Sequence, residues 1–228
     1  RLRERIRSLK KDSNNLQFFD RSLLILFKYW FNPSFLVLEN IDWTTPASIL
    51  EKIIAYEAVH EINSWDDLRA RLAPEDRRCF AFFHPLIPNE PLIFVEVALS
   101  KNMPESINEV IKIDRSVTLD EDINTAIFYS ISNCQEGLSG ISFGNFLIQK
   151  VAQKLRQEND GLDTFATLSP VPGFSKWLDK KSIDEYRDED ALLKQALIYL
   201  LKSDRDDGLP NDPVAKCHLG NGAILERI

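Results

Sequence analysis

Three features of the 228-residue sequence predict a mixed α/β (α+β) fold. The first part, to about Asn32, repeats apolar residues at helical spacing, with Leu23, Leu24, Leu26, Phe27 and Trp30 forming a thick face. From Arg77 onward, short apolar runs rich in Phe, Ile and Val alternate with helical patterns. Near the middle, the apolar run 126–131 enters a glycine-studded turn and then a helix marked by Phe146, Leu147, Val151 and Leu155. Helices first, then strands interleaved with helices, fit an α+β or mixed α/β architecture.

Each element follows from local signals. Asn32-Pro33 breaks the first helical stretch. Residues 35–41 read as a strand closed by Asp42. Thr45-Pro46 then opens a helix, with Thr45 as N-cap and Ile49, Leu50, Ile53, Ile54 and Ala58 as its buried stripe. Ser64 caps another helix over residues 65–72, with Asp66 and Asp67 at its positive end. Runs 79–83 and 92–99 form a hairpin whose tip, His84 to Pro91, reads as long and turn-rich. Residues 164–168 are a strand closed by Ser169-Pro170-Val171-Pro172-Gly173-Phe174, where the prolines bar a helix. Residues 183–202 read as one or two helices. Residues 215–219 and 223–225 read as short strands about an Asn221-Gly222 turn.

Composition removes several classes of function. A net charge of -7 without a long Lys or Arg run argues against a nucleic-acid binder. No apolar stretch of about 18 residues exists to span a membrane. Cys79, Cys134 and Cys217 lie far apart without a CxxC pair, which fits free thiols in a reducing compartment and a cytoplasmic protein. The start at Arg1, without Met, leaves room for a targeting segment upstream.

The chemistry-bearing residues are few. A turn holding Gln135, Glu136, Gly137, Leu138, Ser139, Gly140 and Gly144 delivers backbone N–H groups to a helix N-terminus, where phosphate oxygens are favoured. Lys150, Lys154 and Arg156 on that helix read either as phosphate partners or as a solvated face. Three histidines limit proton transfer to His60, His84 or His218. Ser169 follows a buried strand, and its loop is stiffened by Pro170, Pro172 and Gly173, so its hydroxyl is held in a defined orientation. The run Gly140-Ile141-Ser142-Phe143-Gly144 matches the G-x-S-x-G elbow of serine hydrolases, yet residues 133–139 separate it from the strand. Ser142 therefore reads as a helix-start cap or anion donor. No metal-binding spacing is present, and Asp204, Asp206 and Asp207 read as surface charge.

Four ordered stretches, RRCFAFFHPLIPNEPLIFVEVAL, TAIFYSISNCQEGLSGISFGNFLI, TLSPVPGFSKWL and DPVAKCHLGNGAILERI, together resemble the catalytic domain of the malonyl-CoA decarboxylase family. The segment FNPSFLVLENIDWTTPASILEKIIAYEAVHEI is similar to the family's junction into that domain. The resemblance implies a domain of GNAT acetyltransferase type over residues 33–228, a central mixed sheet flanked by helices and truncated at its C-terminus, after the end of a helical domain over residues 1–32. It implies coenzyme A at the Gln135–Gly144 turn, with the strand 126–131 and the strand before Ser169 splayed to admit the pantetheine arm. It also implies Ser169 and His218 as catalytic residues, with Pro170, Pro172, Gly173, Phe174 and Asn221 around the substrate. Where the animal enzymes carry an acidic residue after the glycine turn, this sequence has Ser142. A tyrosine-bearing segment of the family is expected beyond Ile228.

The activity so implied is loss of CO2 from malonyl-CoA. Ser169 and backbone N–H groups would orient the malonyl group while His218 stabilises the enolate and supplies a proton. No cofactor or metal is expected, because the thioester is the electron sink. The helical first part is a candidate surface for a homo-oligomer. Two other readings share the turn: an acyltransferase acting on an amine, and a CoA-ester sensor without turnover.

Overall fold

Antiparallel pairing organises the larger part of the molecule. The computed structural model describes residues 1–9, 14–180, 189–201, 208 and 210–228. The strands β1 (Val37–Asn40), β2 (Arg77–His84), β3 (Ile87–Ser100), β4 (Thr125–Asn133) and β5 (Thr164–Thr167) form one sheet in chain order. Neighbours are antiparallel from β1 to β4, and β4 pairs with β5 in parallel. The helices are α1 (Leu2–Leu9), α2 (Asn14–Trp30), α3 (Ala47–Tyr56), α4 (Trp65–Leu72), α5 (Ile107–Ile111), α6 (Gly144–Glu158), α7 (Phe174–Lys180), α8 (Glu189–Leu201) and α9 (Pro213–Gly220). The chain divides into two compact units, Arg1–Leu168 with the sheet and α1 to α6, and Ser169–Ile228 with α7 to α9.

The sheet is covered on both faces, as its near-continuous apolar strands require. Alternate residues of β2 go to opposite sides: Phe80 and Phe82 join Leu147, Val151 and Leu155 of α6, while Cys79, Ala81 and Phe83 join Ile49, Leu50 and Ile53 of α3 and Leu68 and Leu72 of α4. Burying each large side chain of the α6 stripe contributes about 1.5–3 kcal/mol. Ser64 caps α4 as expected, accepting from Asp67 N at 3.1 Å.

Four expectations are corrected, and one helix is met over the part that is described. The hairpin tip is short, because β3 begins at Ile87 and His84 pairs with Ile87, while residues 88–90 bulge between that pair and Phe83–Pro91. The strand expected over 35–41 is confined to Val37–Asn40, since Asn32 accepts from Ser34 N and winds Pro33–Phe35 into a 3-10 turn. Thr45 does not cap α3: its hydroxyl accepts from Asp42 N at 3.0 Å, and Pro46 takes the cap position. The helix expected over 183–202 is seen as Glu189–Leu201, and residues 183–188 and 202 lie outside the described residues, as do Asp204, Asp206 and Asp207. The segment expected as strands about Asn221-Gly222 is instead helix α9. Asp212 caps it, accepting from Val214 N at 2.9 Å and Ala215 N at 3.0 Å, and Pro213 holds the first helical position. Asn221-Gly222 ends this helix, with Gly222 at φ +89° and the Ala223 N–H returning to His218 O.

Candidate active site

Two regions hold the residues singled out from sequence, one in each compact unit. The first begins where the parallel pair ends. Pairing of β4 with β5 stops at Phe128–Thr167, closed by Leu168 N donating to Phe128 O, whereas β4 continues to Asn133. Opposite β3, Tyr129 is an extra residue between the pairs Val97–Phe128 and Glu96–Ser130, a bulge that bends β4 at this point. Among the described residues, no strand pairs with 129–133 on the β5 side.

Beyond β4, Glu136–Leu138 form a 3-10 turn and Gly140 adopts φ +89°, a left-handed conformation that favours glycine. Leu138 N and Ser139 N donate back to Gln135 O and Glu136 O. Gly137 N donates to the Glu4 carboxylate at 3.1 Å. Among the described residues, the N–H groups of Gly140, Ser142, Phe143 and Gly144 have no protein acceptor. They sit at the positive end of α6, an arrangement that accommodates an oxyanion. Ser142 is not the helix cap: Phe143 holds that position and no side chain caps α6. The strand also ends at Asn133, nine residues before Ser142, so no sharp nucleophile elbow exists there.

The turn is fixed from two sides. Gln135 Nε2 donates to Glu90 Oε1 at 2.8 Å, and the same carboxylate takes Lys52 Nζ at 2.6 Å and Tyr56 Oη at 2.8 Å. Burial pushes Glu90 upward, but these donors outweigh it and hold the carboxyl below its usual range. On the other side, Arg3 is buried against Asp20 at 2.8 Å and donates to Gly137 O at 2.9 Å and Ser139 O at 2.6 Å. A cavity of about 680 Å³ opens on the turn, lined by Leu92, Asn133, Gln135, Ser139, Gly140 and Phe143 and by residues of α1. The cations of α6 are engaged elsewhere: Lys150 lies over Phe146, Lys154 pairs with Glu158 and Arg156 lies over Phe165.

The second region is the unit Ser169–Ile228. Here Ser169 Oγ lies 3.2 Å from His218 Nε2. Ser169 leaves β5 on an exposed loop, and His218 stands in the last turn of α9. Burial lowers the pKa of His218 from its ordinary value of 6.5, so the ring is neutral at pH 7. Behind them, Phe174, Trp177 and Tyr199 stack with centroids 5.4 to 6.2 Å apart. Tyr199 Oη donates to the buried Asp212 at 3.2 Å, so the residue that caps α9 is itself held by α8. A Cβ on Gly173 would overlap Tyr199 Oη, which explains glycine at that position. Pro170 and Pro172 are exposed on the loop. Asn221 turns back to its own helix, donating to Cys217 O at 2.6 Å.

The remaining histidines belong to the first unit. His84 Nε2 bonds Trp30 O at 3.2 Å, and His60 is packed beside Tyr129. The three cysteines are free, with Cys79 and Cys134 buried. Among the described residues, no group of three or more His, Cys, Asp or Glu could hold a metal ion, and no helix is long and apolar enough to cross a membrane. Sequence reasoning missed Arg3, Glu4, Glu90, Tyr199 and Asp212. Only Asp212-Pro213 carried a local signal, that of a helix start.

The five-stranded sheet with helices on both faces makes this a mixed α/β protein. The family model for the malonyl-CoA decarboxylase C-terminal domain matches residues 34–194 and 187–228. The chain belongs to the malonyl-CoA decarboxylase family. It is 45% identical over 151 residues to malonyl-CoA decarboxylase, mitochondrial, of Anser anser anser, and 42% identical to that of Mus musculus. Those matches cover 65% of this chain and 30% of each relative. Crystal structures of malonyl-CoA decarboxylase from Agrobacterium vitis and Rhodopseudomonas palustris superpose with TM-scores of 0.89 and 0.88 at 46% and 47% identity. They cover 99% and 98% of this chain, which spans 62% and 61% of theirs.

Proposed function

We propose that the protein removes CO2 from malonyl-CoA to give acetyl-CoA, with Ser169 and His218 as its catalytic residues. Membership of the decarboxylase family supports the reaction. The observation that carries the assignment of residues is the 3.2 Å approach of Ser169 Oγ to His218 Nε2.

In this reading the Gln135–Gly144 turn takes the phosphates of coenzyme A on its free N–H groups. The bond from the malonyl carboxylate carbon to the α-carbon breaks, CO2 departs, and the electron pair moves onto the thioester as an enolate. Ser169 O–H orients the malonyl group, and the neutral His218 ring donates an N–H to the developing oxyanion. A thioester enolate is basic enough to take a proton from neutral imidazole at carbon, and solvent restores that proton. The thioester accepts the electrons, so the proposal includes no further cofactor.

Replacing His218→Asn separates chemistry from binding. Turnover falls on the order of 10²–10³, the usual effect of losing one such donor, while the dissociation constant for a CoA ester stays within a few-fold. Unchanged turnover removes His218 from the mechanism.

A further inference from the structure

The phosphate turn has an unusual neighbour. Helix α1 carries Arg3, Glu4 and Arg7 on one side, at the spacing that places side chains along a single face. All three reach the turn: Arg3 to the carbonyls of Gly137 and Ser139, Glu4 to the Gly137 N–H, and Arg7 Nη1 to Glu136 O at 3.1 Å. Arg3 is spent on carbonyls and on Asp20, and buried. Arg7 differs. Glu136 O is its one hydrogen-bond partner among the described residues, it is half-exposed, and it lines the cavity of about 680 Å³ on which the turn opens. Among the described residues lining that cavity, Arg7 is the one cation. The turn itself offers dipoles and N–H groups but no positive side chain, having Gln135 at its start and Glu136 next. The lysines and the arginine of α6 are turned to other partners.

We propose that Arg7 is a coenzyme-binding residue, supplying from α1 the positive charge that the glycine turn lacks, to a phosphate oxygen of coenzyme A. The inference rests on the reading of that turn as the coenzyme site. A guanidinium anchored by one N–H to a carbonyl keeps its other donors in a fixed plane, which suits a phosphate better than a freely rotating ammonium. Arg3 is a positioning residue, since it holds the carbonyls of Gly137 and Ser139.

The test is calorimetric titration of the parent chain, Arg7→Ala, Arg7→Lys and Arg5→Ala with coenzyme A. Arg5 is exposed on the same helix, so it controls for net charge alone. Arg7→Ala weakens binding about tenfold at low salt, the scale of one charge-assisted hydrogen bond, and flattens the salt dependence. Arg7→Lys falls between parent and Arg7→Ala, and Arg5→Ala stays within twofold. Repeating the series with dephospho-coenzyme A separates the sources: a retained Arg7 effect places it on the pyrophosphate, a lost one on the 3′-phosphate. If the parent binds and Arg7→Ala binds equally well, or Arg5→Ala weakens binding as much, the role of Arg7 is overturned while the turn's reading stands. A parent chain that binds no coenzyme A overturns both.

Discussion

Ser169 Oγ and His218 Nε2 stand 3.2 Å apart although 49 residues separate them in the chain. The contact depends on two devices of the second unit. A proline-stiffened loop carries the serine out of β5, and a helix capped by a buried aspartate carries the histidine.

His218 titrates below the ordinary imidazole value of 6.5, because burial disfavours its charged form. The ring proton resonances of His218, followed by NMR, therefore have their midpoint below pH 6.5. A folded pKa lower than the unfolded one means that the unfolded chain binds the extra proton more readily. The contribution to stability is thus level above pH 6.5 and is lost as pH falls below it. His218→Asn removes that acid-side slope. A midpoint above 6.5 contradicts the burial.

Asp212 caps α9 and accepts from Tyr199, so Asp212→Ala removes the acceptor of three hydrogen bonds. Loss of the cap costs about 1–2 kcal/mol, read as a lowered thermal midpoint, and turnover falls with it because the helix carrying His218 frays. Turnover that keeps pace with the parent would show that the cap does not position His218.

Glu96 offers a pH dependence of opposite sign. It is fully buried on β3, with Oε2 3.0 Å from Arg71 Nη1. Burial raises its pKa from 4.5 to about 7, and the opposing pull of Arg71 is the weaker effect. The folded state therefore holds this proton more tightly than the unfolded one, and its contribution to stability falls as pH rises from 4.5 through 7. Chemical denaturation at pH 5 and pH 8 measures the difference. Glu96→Gln shrinks it, and an unchanged difference would mean that Glu96 is ionised throughout.

Much of the first unit was legible in sequence because its signals are local. The apolar run of β4, the helical spacing of Phe146, Leu147, Val151 and Leu155, and Ser64 before α4 each announce an element within a few residues. The α9 segment was misread because Asn221-Gly222 is a turn signal that serves hairpins and helix ends alike. The decisive evidence was Asp212-Pro213 at the other end of the segment. The clamps on the glycine turn were not legible at all. Arg3 acts on a carbonyl 134 residues away and Gln135 on a carboxylate 45 residues away. Charged residues at such separations show only ordinary surface patterning until the chain is folded. Ser169 and His218 were found through the motif resemblance, since the spacing of a lone serine and a lone histidine says nothing of their approach.

The central claim is tested most directly by measuring CO2 release and acetyl-CoA formation from malonyl-CoA, with the parent protein beside Ser169→Ala and His218→Ala. Turnover is expected in the parent, with a loss on the order of 10²–10³ in each variant and the fold intact by circular dichroism. Variants that release CO2 as fast as the parent would contradict the assignment of the pair. A parent that binds coenzyme A but releases no CO2 would contradict the reaction itself.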